Sequence, residues 1–341
     1  MARYLPRRLM HAAFVLWAAF TVSFGLLYLL PADPVSTMAL GSAGGGVPSA
    51  EQIAELRAAY GFDRPLPEQY LSRLTDALHG DFGASVQTGQ SVTGLIADAL
   101  PQTLQLAAAA LGVALLGALV VSLATVRALP LPSWNGRGSA SWFGRGLRSL
   151  PAVGVSAPGF WVGLMLIQFF SFRWKLFPAV GNDDRSGLVL PALTLALPTG
   201  AILTQVLTRS MITVLGEPYI QTALATGAGP IRVLVRHVLR NAAIPALTVG
   251  GLLVGELVAG AVTVETVFSR TGVGRATATA VSTQDIPAVQ GLVVLGALVF
   301  TLVSLALDLL LPLVDPRIAR TARIARSART ARTARTAGAS R

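Results

Sequence analysis

The chain has no cysteine, a single lysine, three histidines and few charges of either sign. Without cysteine, neither a disulfide framework nor a thiolate metal site can form. The three histidines (His11, His79 and His237) lie too far apart in sequence to predict a zinc cluster. Only 13% of the 341 residues are charged and 53% are hydrophobic, whereas a soluble protein carries about 25% charged residues. So little polar surface indicates a membrane protein.

The single lysine also limits the chemistry of the chain. A phosphate-binding P-loop needs a glycine-rich turn that ends in Gly-Lys-Ser/Thr, and Lys175 lies between Trp174 and Leu176. Neither a His-Glu-x-x-His helix nor a Gly-x-Ser-x-Gly elbow is present. We therefore predict a protein that is not an enzyme, with no catalytic residue, no metal and no cofactor of its own. If the protein is driven by ATP, another polypeptide must bind the ATP and Mg.

The net charge of +11 does not indicate a nucleic-acid partner, because much of it is concentrated at one end. Residues 317–341 hold eight of the 27 basic residues and no acid, and without them the net charge is +3. We interpret 317–341 as a basic low-complexity tail. It either lies against anionic lipid headgroups or is a dispensable extension.

The apolar residues fall into six runs, each close to the roughly 20 residues that cross a bilayer. The first run is too long for the core of a signal peptide, about 7–15 residues. Basic residues are concentrated in alternate connections, which hold 19 of the 27 when both termini are cytoplasmic. The sequence thus predicts an all-α fold with these spans: 9–30, 104–126, 150–171, 188–208, 242–264 and 288–312.

Four regions follow from this reading. Residues 1–30 hold the cytoplasmic N-terminus and the first span, and 31–100 form a small helical external lobe with eight acids. Residues 101–316 form the transmembrane core, which includes a cytoplasmic loop at 209–242. Residues 317–341 are the tail.

Helix-breaking residues and small residues recur in spans three to five. Prolines and glycines at membrane depth either bend and pack the helices or shape a pathway that opens and closes. Gly251, Gly255 and Ala259 repeat every four residues, which predicts a face that lets a neighbouring helix approach closely.

Three acids lie in or near the spans, namely Glu256, Glu265 and Asp308. Acids at such depth often mark ion pathways, so a proton-coupled secondary carrier is an alternative function. Only Glu256 lies well inside a span, and one acid without a partner makes a poor proton relay.

The cytoplasmic loop between spans four and five carries the strongest pattern. Pro218 predicts a helix start and Gly227 a helix end. Small residues between them leave a thin face that could seat in the groove of another protein. Arg232, Arg236 and Arg240 follow at four-residue spacing, either as part of this site or as ordinary positive-inside topology.

This loop resembles the coupling loop of ABC importer permeases of the dipeptide/oligopeptide/nickel family, in particular their B-type subunit. The matching residues are Tyr219, Thr222, Ala223, Ala225 and Gly227, and they continue from Arg236-His237 to Ile244-Pro245. Gln221 stands where the general signature has glutamate, and Thr222 stands at the first alanine.

Further segments resemble the same family in the same order. Leu29–Pro34 is similar to its exit from the first helix, and two segments in 61–85 are similar to its external lobe. The remaining matches are Glu265-x-Val267-Phe268 with Gly272-Val273-Gly274, then Asp285–Gly291 and Asp315-Pro316-Arg317.

The resemblance implies a type I importer permease fold in a bacterial inner membrane. It also implies four kinds of partner: a homologous second permease, two ABC ATPase subunits, an extracytoplasmic solute-binding protein and membrane lipid. The residues implied in ATPase coupling are Tyr219, Gln221, Thr222, Ala223, Gly227 and Arg232. Glu265, Phe268, Gly272 and Gly274 form a candidate external gate, for which an ordinary tight turn is the alternative. Peptide leads as substrate, with nickel and glutathione left open.

Overall fold

A computed structural model describes residues 4–29, 49–59, 63–128, 142–181 and 185–314. Within these ranges the regular secondary structure is helical, apart from an isolated antiparallel β-bridge between Ala84 and Ser91. The first part of the chain contains α1 (Tyr4–Leu29), α2 (Ala50–Ala59), α3 (Leu66–Leu78) and α4 (Val92–Arg127). The middle part contains α5 (Trp142–Ser156), α6 (Gly159–Leu166), α7 (Val189–Leu215) and α8 (Pro218–Ala225). The last part contains α9 (Arg240–Val267), α10 (Val273–Ser282) and α11 (Ile286–Val314).

Six segments are long and apolar enough to span a membrane, which confirms the predicted all-α membrane fold. Five are single helices: Arg8–Leu26, Val92–Arg127, Ser186–Leu215, Pro230–Val267 and Ile286–Ala306. The sixth is a pair, Gly146–Ser156 with Gly159–Arg173, in which the second helix is bent by 107° from the direction of the first.

The third predicted span, 150–171, is therefore broken and is not one straight helix. The break falls at Ala157 and Pro158, where Pro158 takes an extended conformation (φ −60°, ψ 130°) ahead of α6. Proline lacks an amide hydrogen and disfavours the helical conformation in the residue before it. The second part ends in a π-helical segment, Ile167–Arg173.

Two spans begin earlier than the apolar runs suggested. Helix α4 starts at Val92, where the Ser91 hydroxyl accepts a hydrogen bond from the Gly94 amide at 3.1 Å. Its first turns thus lie within the range assigned to the lobe. The fifth span starts at Pro230, because a helical turn (Pro230–Arg232) and a π-helical segment (Val233–Leu239) run directly into α9. Apolar runs mark the part of a helix inside the bilayer and carry no signal for its polar extension.

Helices α4 and α7 approach each other closely. Ala110, Ala114 and Ala118 are buried along one face of α4. A Cβ added at Gly200 of α7 would lie 3.3 Å from the Cα of Ala114, so a side chain at this position would require the two helices to move slightly apart. The predicted face at Gly251, Gly255 and Ala259 packs less tightly, since Ala259 is exposed.

The region predicted as a helical lobe contains two short helices, α2 and α3. Tyr70 of α3 packs edge-on against Phe20 and Phe24 of α1, with ring centroids 5.8 and 5.4 Å away. Its hydroxyl lies 2.9 Å from the Thr21 hydroxyl. Aromatic and hydrogen-bond contacts therefore join α3 to the first span.

A second part of the lobe packs against α11. Asp285 is buried and accepts a 2.5 Å hydrogen bond from the Ser85 hydroxyl. It also accepts a bond from the Ala288 amide in the first turn of α11. Val92 and Phe82 occupy the space that a Cβ at Gly291 would need. The segments 80–85 and 285–291, which both resemble the family, are therefore packed against each other.

Several predicted features lie outside the described residues. These are most of the motif Leu29–Pro34, the Asp315-Pro316-Arg317 motif and the tail 317–341.

Candidate functional site

A surface groove of about 680 Å³ lies at the end of the helix bundle that carries α8. One wall is α8 with the turn that follows it, and the other is the segment that leads into α9. The residues that line the groove are Tyr219, Thr222, Ala223, Thr226, Gly227, Ala228, Arg232, Arg236 and His237.

The end of α8 has a hydrogen-bond pattern that requires Gly227. The Ala228 amide donates to the Ala223 carbonyl at 3.1 Å, and the Gly227 amide donates to the Leu224 carbonyl at 3.0 Å. This pair of bonds is a Schellman motif, in which the residue after the helix is left-handed. Gly227 has φ +82°, a conformation that glycine adopts without steric cost.

Two contacts fix α8 to the body of the protein. Ile220 is 1% exposed and belongs to a core cluster with Met211 of α7 and Val233. On the exposed side, the side-chain amide of Asn241 donates a 2.7 Å hydrogen bond to the Tyr219 hydroxyl. A displacement of α8 would therefore move α7 and the start of α9.

The structure brings five of the six predicted coupling residues to this groove: Tyr219, Thr222, Ala223, Gly227 and Arg232. Gln221 is exposed on α8 but does not line the groove. Arg236 and His237 also line it; both lie in the segment that resembles the family, but they were not among the residues implied in coupling. They lie in the π-helical segment Val233–Leu239, and π-helical turns are frequent at functional sites.

At the opposite end of the bundle, the buried carboxylate of Glu265 holds the start of α10. Its Oε2 accepts hydrogen bonds from the amides of Gly274 (2.7 Å) and Arg275 (3.3 Å), and its Oε1 accepts one from the Thr103 hydroxyl at 2.6 Å. The Val273 amide donates to the same Thr103 hydroxyl at 2.8 Å. The free amides at the start of a helix favour a negative charge. Glu265 thus caps a helix that follows it in sequence.

The two glycines of this turn provide the space for that carboxylate. A Cβ at Gly272 would overlap the Glu265 carboxyl group, and one at Gly274 would overlap the backbone of Val262. Positions 272 and 274 therefore require glycine for steric reasons once the Glu265 carboxylate occupies this turn.

Arg270 lies buried beside this network, outside the spanning segments. Its guanidinium donates to the Gly187 carbonyl (3.4 Å) and to the Gln102 side chain (3.3 Å). Burial lowers the pKa of Arg270, and the attraction of the Glu265 carboxylate opposes this shift. The side-chain network thus connects the α9–α10 turn to the third turn of α4 and to the turn before α7.

The four candidate gate residues all take part in this buried turn. Phe268 is 1% exposed, and its ring lies 3.2 Å from the position of a Cβ at Gly163 in α6. Glu265, Gly272 and Gly274 are buried as well. Sequence reasoning missed Thr103 and Arg270, because a contact across 162 residues leaves no local signal.

In the described part of the chain, no group of three His, Cys, Asp or Glu side chains is arranged to hold a metal ion. The described sites are a surface groove and a capped turn.

Together, the fold and the groove define a multi-pass membrane protein with a surface groove at one end of its helix bundle. The family model for the inner membrane component of binding-protein-dependent transport systems matches residues 128–320, and the model for its N-terminal region matches 1–107. The chain belongs to this family of transporter permeases.

Three relatives span nearly the whole chain. "Probable peptide ABC transporter permease protein y4tP" of Sinorhizobium fredii is 34% identical and covers 93% of this chain and 99% of its own length. The dipeptide transport system permease protein DppB of Escherichia coli K12 is 35% identical, with 87% and 93% covered. The glutathione transport system permease protein GsiC of Salmonella choleraesuis is 33% identical, with 93% and 99% covered.

Proposed function

We propose that this chain is one of two permease subunits of an ATP-driven, binding-protein-dependent importer for di- or oligopeptides. The α8 groove is the observation that carries the proposal, because it gives an ATPase subunit a defined surface to bind. The names of the relatives support peptides as the substrate class. Glutathione, itself a small peptide, is named for another relative, and nickel chelates are a further alternative.

The assembly contains a homologous second permease, two ABC ATPase subunits that bind ATP and Mg, and a solute-binding protein. The membrane is the bacterial inner membrane, with both termini in the cytoplasm. In this orientation the α8 groove faces the ATPases, and the lobe faces the binding protein. The arrangement follows the distribution of arginine between the connections.

The groove can transmit force because its walls are fixed to different helices. The contacts of Ile220 join α8 to α7, and the bond from Asn241 to Tyr219 joins it to α9. When ATP draws the two ATPases together, a rigid α8 moves these helices with it. The pathway then changes between outward-facing and inward-facing states.

The capped turn is the finer part of the proposal. Glu265, Phe268, Gly272 and Gly274 join α9 and α10 into one unit, which would act as an external gate by moving as a body. Replacing Gly272 with valine displaces the carboxylate, so lost uptake alone would not separate gating from folding. The gate role is supported if a substitution at one of these four residues leaves the thermal stability of the protein unchanged and abolishes uptake.

The test of the groove is Ala223→Trp, with Ala225→Trp as the matched control. Ala223 lines the groove and is half-buried, whereas Ala225 lies on the same helix, is exposed and does not line it. An indole at position 223 fills the space that a partner would occupy. We expect the Ala223→Trp complex to lose co-purified ATPase and uptake while the chain still inserts.

Ala225→Trp should keep both the co-purified ATPase and uptake. Normal ATPase recovery and transport by Ala223→Trp would refute the docking assignment. Equal loss in both variants would show that any bulky residue on α8 is harmful, and it would also count against the groove.

A further inference from the structure

Glu256 is the acidic side chain that lies deepest in a spanning helix among the described residues. It lies in the 38-residue helical span Pro230–Val267, roughly 16 Å from its far end at 1.5 Å per residue. This depth is well within a hydrocarbon layer about 30 Å thick.

Glu256 is exposed on the surface of this chain. It shares one face of α9 with other exposed residues at alternating spacings of four and three, which is the period of a helix face. That face contains Leu252, Glu256, Ala259, Thr263 and Thr266. The opposite face is buried in the core between α4 and α7, through Leu253, Leu257, Ala261 and Val264.

A charged carboxylate is costly in contact with lipid, so acids at this depth line a water-filled cavity or pair with another group. The exposed face holds two threonines and no basic residue between Leu252 and Thr266. A negative charge without a basic neighbour on its own helix face suits a cation that comes from outside the chain.

We propose that Glu256 faces the translocation pathway and makes it favour substrates that carry a positive charge, namely the ammonium groups of peptides. The inference rests on the proposed function and deepens it. An anionic solute would be repelled by the same carboxylate. Glu256 thus adds a selection by charge within the pathway to the selection that the binding protein makes. In the mechanism it is a specificity residue that contacts the passing substrate.

The experiment measures initial uptake of three labelled tripeptides by cells that carry the complete transporter. The peptides are Ala-Lys-Ala, Ala-Ala-Ala and Ala-Glu-Ala, with net charges of about +1, 0 and −1 at neutral pH, given the ordinary pKa values of the side chains and termini. The variants are Glu256→Gln, which keeps the shape, and Glu256→Asp, which keeps the charge. Each result is compared with the wild type, so that the preference of the binding protein cancels.

We expect Glu256→Gln to lower the uptake ratio of the lysine peptide to the glutamate peptide by about threefold to tenfold, as for the loss of one partly desolvated charge contact. Glu256→Asp should keep most of the preference.

An unchanged ratio in Glu256→Gln would overturn the inference and leave peptide import intact. Loss of the second permease from the purified Glu256→Gln complex would also overturn it, because the acid would then pair with that subunit. If wild-type cells import none of the peptides, the proposed substrate class fails as well.

Discussion

Glu265 illustrates how a single residue can account for a sequence motif. Its carboxylate reaches the amides of Gly274 and Arg275 and the hydroxyl of Thr103. Gly272 leaves room for it. The motif is therefore explained by helix capping in a buried turn, independently of any gating role.

We predict that Glu265→Ala destabilises the protein strongly and that Glu265→Gln does so less. The alanine variant leaves two buried amides without an acceptor and removes the charge nearest Arg270, a loss of about 3 kcal/mol or more. Glutamine keeps the shape and one acceptor oxygen. Thermal unfolding of the purified protein in detergent should rank wild type above Gln and Gln above Ala.

The neighbouring variant Thr266→Ala is the control for this ranking, because Thr266 is exposed and its hydroxyl bonds only to the Val262 carbonyl of its own helix. Equal stability of Glu265→Ala and Thr266→Ala would contradict the capping role.

At the scale of elements, irregular helix geometry coincides with the described sites. The π-helical segment Val233–Leu239 provides two residues of the groove, and a break at Pro158 bends the third span by 107°. The short helix α8 depends on how it ends, because a helix of eight residues has little stability of its own.

Gly227→Ala should weaken ATPase docking, with Gly229→Ala as the matched control. A Cβ at either position meets open space, so neither variant causes a clash. Gly227 has φ +82°, whereas Gly229 has φ −63°, which any residue adopts. Alanine in the left-handed region costs about 1–2 kcal/mol, and this frays the end of α8.

If all of that cost appears in binding, affinity for the ATPase falls roughly fivefold to thirtyfold. The measurement is a titration of the purified permease pair with the ATPase. Parallel losses in the two glycine variants would argue against the strain at Gly227.

At the scale of the whole molecule, the sequence of this transporter permease lacks a P-loop motif. Its one lysine, Lys175, is exposed and lies outside any Gly-Lys-Ser/Thr sequence. In the proposed mechanism a partner ATPase supplies the energy, and an ion gradient is the alternative raised by Glu256.

We predict that the reconstituted complex imports peptide in response to ATP and is insensitive to a protonophore. The purified chain alone should show neither ATP hydrolysis nor uptake driven by a proton gradient. A mutated ATPase that binds but does not hydrolyse ATP is the control. Uptake by the chain alone under a proton gradient would instead establish a secondary carrier.

The sequence by itself determined the membrane character, the approximate spans, the absence of a P-loop and the positions of α8 and its glycine end. These features depend on local properties such as hydrophobic run length, charge distribution and turn residues, which act between near neighbours in the chain. The family resemblance added the order of the motifs.

Only the tertiary structure decided how distant segments meet. It placed the Glu265 carboxylate between Thr103 and the start of α10, joined Ser85 to Asp285 across 200 residues, and combined α8 with a π-helical turn into one groove. It also broke the third span at Pro158 and left Glu256 exposed on α9. Such contacts depend on how helices pack in space, and the hydrophobicity of a segment does not indicate which other helices it contacts.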